Sequence, residues 1–72
     1  MWHVTIIMFF ISANAESYKD DGNYNFKHKK YRWAIDSYTQ GIKCKTRNKE
    51  LNAILYSNRA AANIRLSMLT LI

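Results

Sequence analysis

Apolar and small residues recur along this chain at the spacing of helix faces, in three runs separated by polar breaks. From Glu16 to about Lys29, Tyr18, Gly22 and Phe26 come at every fourth position, so they share one face of a helix, with Gly22 leaving room for a neighbouring backbone. Asp20 and Asp21 fall early in that helix and Lys27, Lys29 and Lys30 near its end, each at the pole of the helix dipole that suits its charge. A tight turn is expected around His28 to Tyr31. In the second run Tyr31, Ala34, Ile35, Tyr38, Gly41 and Ile42 follow the i, i+3, i+4, i+7 pattern, opposite a face of Arg32, Asp36, Gln40 and Lys43. Lys45 to Glu50 is polar throughout and reads as a link. A third helix is expected from about Leu51, with Leu51, Ile54, Leu55, Ala62 and Leu66 as its apolar positions and Ala60-Ala61-Ala62 as a slim face for close packing. An apolar tail, Met68 to Ile72, follows Ser67.

The amino end departs from this periodicity. Val4 to Ile11 is apolar except for Thr5, far short of the roughly 20 residues a helix needs to cross a bilayer, so no membrane span is expected. Followed by Ala13-Asn14-Ala15, the run resembles the hydrophobic region and cleavage site of a secretory signal, although no Lys or Arg precedes it. The other reading is an apolar leader that packs on the first helix pair. The chain therefore divides into a leader over 1–15, a helix pair and link over 16–48, and a further helix with its tail over 49–72.

Composition narrows the class. At 72 residues this is one domain at most, and chains of this size bury only about 60% of their unfolded surface, which leaves stability marginal without a partner or further units. Two Gly, no Pro and 49% hydrophobic residues favour an all-α chain with few breaks. Eleven Lys and Arg against five Asp and Glu give a formal charge of +6, which attracts acidic peptides, nucleic acid or anionic membrane surfaces alike. The lone cysteine, Cys44, and the absence of an Asn-x-Ser/Thr acceptor fit a reducing compartment, hence a cytoplasmic protein. No paired carboxylates, no nucleophile beside a base and no phosphate-cradling Gly loop occur, so no enzyme is expected. His3, His28 and Cys44 lack metal-ligand spacing, and no cofactor is expected.

Tyr18-Lys19-Asp20-Asp21-Gly22-Asn23, then Tyr31 and Ala34 to Ile42, then Leu51 to Ala62 with Tyr56-Ser57-Asn58-Arg59-Ala60-Ala61-Ala62, resemble the tetratricopeptide repeat, a helix pair of about 34 residues with aromatic, Gly and Ala positions at set offsets. The resemblance covers Glu16 to about Asn63 and is similar to a co-chaperone branch of the family, in which the link between the first two repeats is longer than usual. It implies an α-solenoid fragment of about one and a half repeats. It also implies binding of the acidic carboxyl-terminal peptides of heat shock proteins 90 and 70, in the cytoplasm and also the nucleus, through a carboxylate clamp. The clamp positions fall on Lys19, Asn23 and Asn58. Three of five are present; Ser67 stands where a turn Gly belongs, and the remaining two basic residues would come from a third repeat. The clamp is accordingly partial.

Physical chemistry agrees with these assignments. Lys19 and Asn23, four residues apart, project from one helix face and offer an ammonium and an amide to one anion. Asn58, beside three Ala, is unfavourable in a helix by propensity, which suggests a specific polar task, a hydrogen bond to a neighbouring helix being the structural alternative. Arg59 reads as a structural or surface cation. Tyr18, Phe26, Tyr31, Trp33 and Tyr38, interleaved with Lys27, Lys29, Lys30 and Arg32, could form a nucleic-acid platform. Helical spacing puts all but Trp33 on packing faces, so a core role is preferred and no specific nucleic acid is expected. The competing function is a non-functional truncated fragment, or a basic helical segment that binds polyanions without specificity.

Overall fold

A computed structural model of the chain describes residues 2–71; Met1 and Ile72, the outer ends of the expected leader and tail, lie outside the described residues. Three helices follow one another: α1 (Trp2–Lys27), α2 (Tyr31–Lys43) and α3 (Lys49–Thr70). Contacts fix their directions. As α1 is followed back from Gly22 to Ala15 to Ser12, its partners advance from Tyr38 to Gly41 to Thr46, so α1 and α2 are antiparallel. Gly41 meets Leu55 while Thr39 meets Arg59, which makes α2 and α3 antiparallel too and leaves α1 and α3 side by side. The molecule is an all-α helix-turn-helix fragment of the tetratricopeptide type, elongated at 54 × 17 × 14 Å.

Helix α1 runs through the boundary expected near residue 15. No Gly or Pro interrupts residues 2–21, so nothing in the backbone stops a helix there. Ala15, expected to close the leader, is fully buried in the core. The start of α3 is also earlier than expected, at Lys49, because the Asn48 side chain caps it by accepting from Leu51 N at 3.0 Å. At its other end α3 passes Ser67 and continues to Thr70.

Both turns use a lysine where glycine is the usual choice. Lys29 (φ 62°) ends α1 in a Schellman motif: Lys30 N donates to Asn25 O at 2.8 Å and Lys29 N to Phe26 O at 3.0 Å. Lys45 (φ 54°) ends α2 in the same left-handed conformation, donating to Ile42 O at 3.0 Å.

The core is small. Ala15, Ala34, Tyr38, Leu51, Leu55 and Ala62 form its buried cluster, with Phe26, Ile35, Ile42 and Cys44 packed against it. Gly22 does admit a close neighbour, but the neighbour is the Tyr38 ring rather than a backbone: a Cβ at Gly22 would overlap three ring carbons, the farthest at 2.9 Å. At Gly41 a Cβ would lie 2.7 Å from Leu55 Cδ2 and 3.3 Å from the Ala15 carbonyl oxygen, so three helices meet there. Two expected packing residues, Tyr18 (37% exposed) and Ile54 (43% exposed), lie at the surface. Of the three consecutive alanines only Ala62 enters the core; successive residues on a helix are about 100° apart, so Ala60 and Ala61 turn outward.

Candidate functional site

Two of the three residues that the sequence nominates meet in space. Asn23 on α1 and Asn58 on α3, thirty-five residues apart, are joined by a hydrogen bond from Asn58 Nδ2 to Asn23 Oδ1 at 3.1 Å. The same oxygen accepts from the hydroxyl of Tyr38 on α2 at 2.6 Å. Each helix thus sends one polar group to one point. The packing of Tyr38 on Gly22 sets this geometry, because the ring can lie flat against α1 only where no Cβ intervenes. Burial pushes the Tyr38 hydroxyl above the usual phenol range, since its anion would be poorly solvated there. Phe26, Tyr38, Asn58 and Ala61 line a small hollow beside this junction.

Lys19 lies one helical turn before Asn23, on the same side of α1. Its ammonium points to Asp20 at 3.6 Å and Glu16 at 3.9 Å, and not to the two asparagines. Pairs this long at a surface are weak, and Lys19 can exchange them for a bound anion at little cost. Arg59, next to Asn58, is held elsewhere: Nη1 donates to Thr39 Oγ1 at 3.4 Å and the guanidinium stacks 5.2 Å from the Tyr56 ring centre. Its structural reading agrees with those contacts.

The remaining aromatics divide by burial. Tyr31 is buried and stacks edge-on with half-buried Phe26 at 5.2 Å, whereas Trp33 is 57% exposed with Lys30 Nζ 4.6 Å from its ring centre. Sequence reasoning overlooked the Tyr38 hydroxyl, although a buried Tyr needs a partner for its O–H and this was the available signal. It also overlooked Thr46, a buried hydroxyl that bonds Ser12 Oγ at 2.6 Å and accepts from Asn48 N at 3.2 Å. Among the described residues no helix is long and apolar enough to cross a membrane, and no group of three His, Cys, Asp or Glu side chains gathers to hold a metal.

Three successive antiparallel helices, each sending one polar group to a shared junction, define a helical-repeat fragment. Comparison with known proteins names the repeat. The chain is 57% identical over 49 residues to the DNA polymerase interacting tetratricopeptide repeat-containing protein of 47 kDa from Drosophila melanogaster, covering 68% of this chain and 12% of that protein. It is 56% identical over 48 residues to human tetratricopeptide repeat protein 4, covering 67% of this chain and 12% of that one. An Hsp70/Hsp90 co-chaperone of Saccharomyces cerevisiae is 36% identical over 52 residues, 72% of this chain and 14% of its own length. The chain belongs to the tetratricopeptide-repeat family and is similar to tetratricopeptide repeat protein 4. It spans about 12% of the length of the first two relatives. No family model matches the chain, and no solved structure matches it.

Proposed function

We propose that this chain is part of a co-chaperone's peptide-binding surface, capturing the acidic carboxyl-terminal peptide of heat shock protein 90, and of heat shock protein 70, through a partial carboxylate clamp of Lys19, Asn23 and Asn58. The observation that carries the reading is the contact between Asn23 and Asn58, which sets two amides from different helices side by side. Two relatives lend it context: the yeast protein named above is called an Hsp70/Hsp90 co-chaperone, and a Dictyostelium discoideum relative, 40% identical over 55 residues, is called a DnaJ homolog subfamily C member 7 homolog. In this reading Lys19 leaves Asp20 and Glu16 to supply positive charge, while the amides donate to the carboxylate oxygens. The protein works in the cytoplasm or nucleus, as a binder and not an enzyme.

Each charge-assisted hydrogen bond of this kind contributes roughly 1.5 to 3 kcal/mol, so three give a weak but selective grip. The test is a titration of the 72-residue chain with a peptide ending Glu-Glu-Val-Asp and with its carboxyl-amidated twin. The free acid should bind at least tenfold more tightly, and Lys19→Ala should erase most of that difference. Equal affinity for both peptides, falling steeply with salt, would instead mark general attraction of polyanions to a chain of charge +6.

A further inference from the structure

We infer that Tyr38 is a positioning residue for this anion site: its hydroxyl holds Asn23 with the carbonyl oxygen turned inward, so that the amide N–H groups of Asn23 face outward to a carboxylate. The inference rests on the clamp reading and adds to it a residue from α2, the helix that contributes no clamp position.

An asparagine side chain carries one acceptor and one two-hydrogen donor at its tip, and a half-turn exchanges them. Only the donor end can bind a carboxylate, which accepts hydrogen bonds and has none to give. The orientation of Asn23 therefore decides whether the site attracts or repels its ligand. In the structure Asn23 Oδ1 takes the Tyr38 O–H at 2.6 Å and one Asn58 N–H at 3.1 Å. Among the described residues nothing accepts from Asn23 Nδ2, and Asn58 Nδ2 keeps a second hydrogen. Asn23 and Asn58 together thus keep three N–H groups unused within the molecule, and Lys19 stands one helical turn before Asn23 on α1.

Tyr38 is suited to the task because it cannot move. Its ring is 1% exposed and clasped over Gly22, so the hydroxyl stays at one place on α1. Asn58 alone would not fix the orientation, since two facing amides can turn over together and keep a hydrogen bond between them. The buried hydroxyl breaks that symmetry. It remains protonated across the ordinary pH range and has no nearer acceptor than Asn23 Oδ1.

The site consequently discriminates by hydrogen-bond polarity as well as by charge. A chain-terminal carboxylate accepts from the outward N–H groups at both oxygens, whereas a terminal amide has a single acceptor oxygen and its N–H end is unmatched there. Selectivity between the two, rather than affinity alone, is the property that Tyr38 controls.

Tyr38→Phe keeps the ring over Gly22 and removes only the hydroxyl. Titrated with the free-acid and amidated peptides, this variant should show a free-acid preference about tenfold lower than the wild-type chain, with its thermal midpoint little changed. In the wild-type chain the Asn23 side-chain amide protons should shift with the free acid and not with its amide. Asn23→Asp keeps the acceptor for Tyr38 and Asn58 but points an oxygen outward, and should lose the preference while remaining folded. A Tyr38→Phe chain that keeps the full preference overturns the positioning role and leaves the clamp standing. One that no longer melts cooperatively makes the hydroxyl a stability element and overturns it as well. A wild-type chain that binds both peptides equally removes the clamp reading and this inference together.

Discussion

Ser12 Oγ and Thr46 Oγ1 lie 2.6 Å apart and join the amino-terminal half of α1 to the link between α2 and α3. Thr46 is buried, and its carbonyl also receives Asn52 Nδ2 at 2.7 Å, so one threonine ties the link to α1 and to α3. Ser12→Ala should destabilise the chain by about 1 kcal/mol, the net worth of a typical hydrogen bond, because Thr46 would keep only part of its pairing. Urea unfolding checks the size. Faster amide exchange at Arg47 and Asn48, with little change at Gly22, checks the location.

The two glycines of the helix interfaces should respond unequally to alanine. Gly→Ala in a helix gains about 1 kcal/mol of propensity, and crowding opposes it by about 1–3 kcal/mol. At Gly22 the obstacle is the rigid Tyr38 ring, so Gly22→Ala should lose about 1–2 kcal/mol net. At Gly41 the nearest atom is the end of the flexible Leu55 side chain, and the loss should be smaller. A Gly41→Ala variant less stable than Gly22→Ala in urea would contradict this ranking.

Lys29 and Lys45 hold a conformation that disfavours any residue with a Cβ, at a cost of about 1 kcal/mol each. Lys29→Gly should therefore raise stability by about that amount, and Lys45→Gly similarly. Arg32→Gly, within α2, should lower it by about 0.7 kcal/mol. Thermal midpoints of the three variants, measured together, test the contrast.

Alkaline pH should act through Tyr38. Its hydroxyl is held above the usual phenol value near 10 by burial, so the folded chain keeps a proton that the unfolded chain releases first. That stability is complete below pH 10 and is lost as pH rises through the higher folded value. Melting temperatures across this range should fall more steeply for the wild-type chain than for Tyr38→Phe, and parallel slopes would locate the alkaline sensitivity elsewhere.

The helical segments were legible in the sequence because their periodicity survives without knowledge of partners. Tyr31, Ala34 and Tyr38 mark the buried face of α2 as plainly in the sequence as in the structure. The boundaries were less legible. The cap at Asn48 sits inside a run of polar residues in which any of several could end the link, and only the bond to Leu51 N distinguishes it. The leader expected over 1–15 ends inside a helix. Its apolar run resembles a separate segment by composition, yet no breaker divides it from α1 and the helix simply continues.

From its amino acids alone this protein is an all-α chain of three helices, since local spacing and propensity act over a few residues and are written directly in their order; its motif positions add the resemblance to the tetratricopeptide repeat. The meeting of Asn23, Tyr38 and Asn58 was decided by tertiary structure: residues fifteen and thirty-five positions apart reach one another only once Gly22 admits the Tyr38 ring and α3 folds back along α1. A hydrogen bond at 2.6 Å depends on where three helices come to rest, and that position is the joint result of every contact in the core.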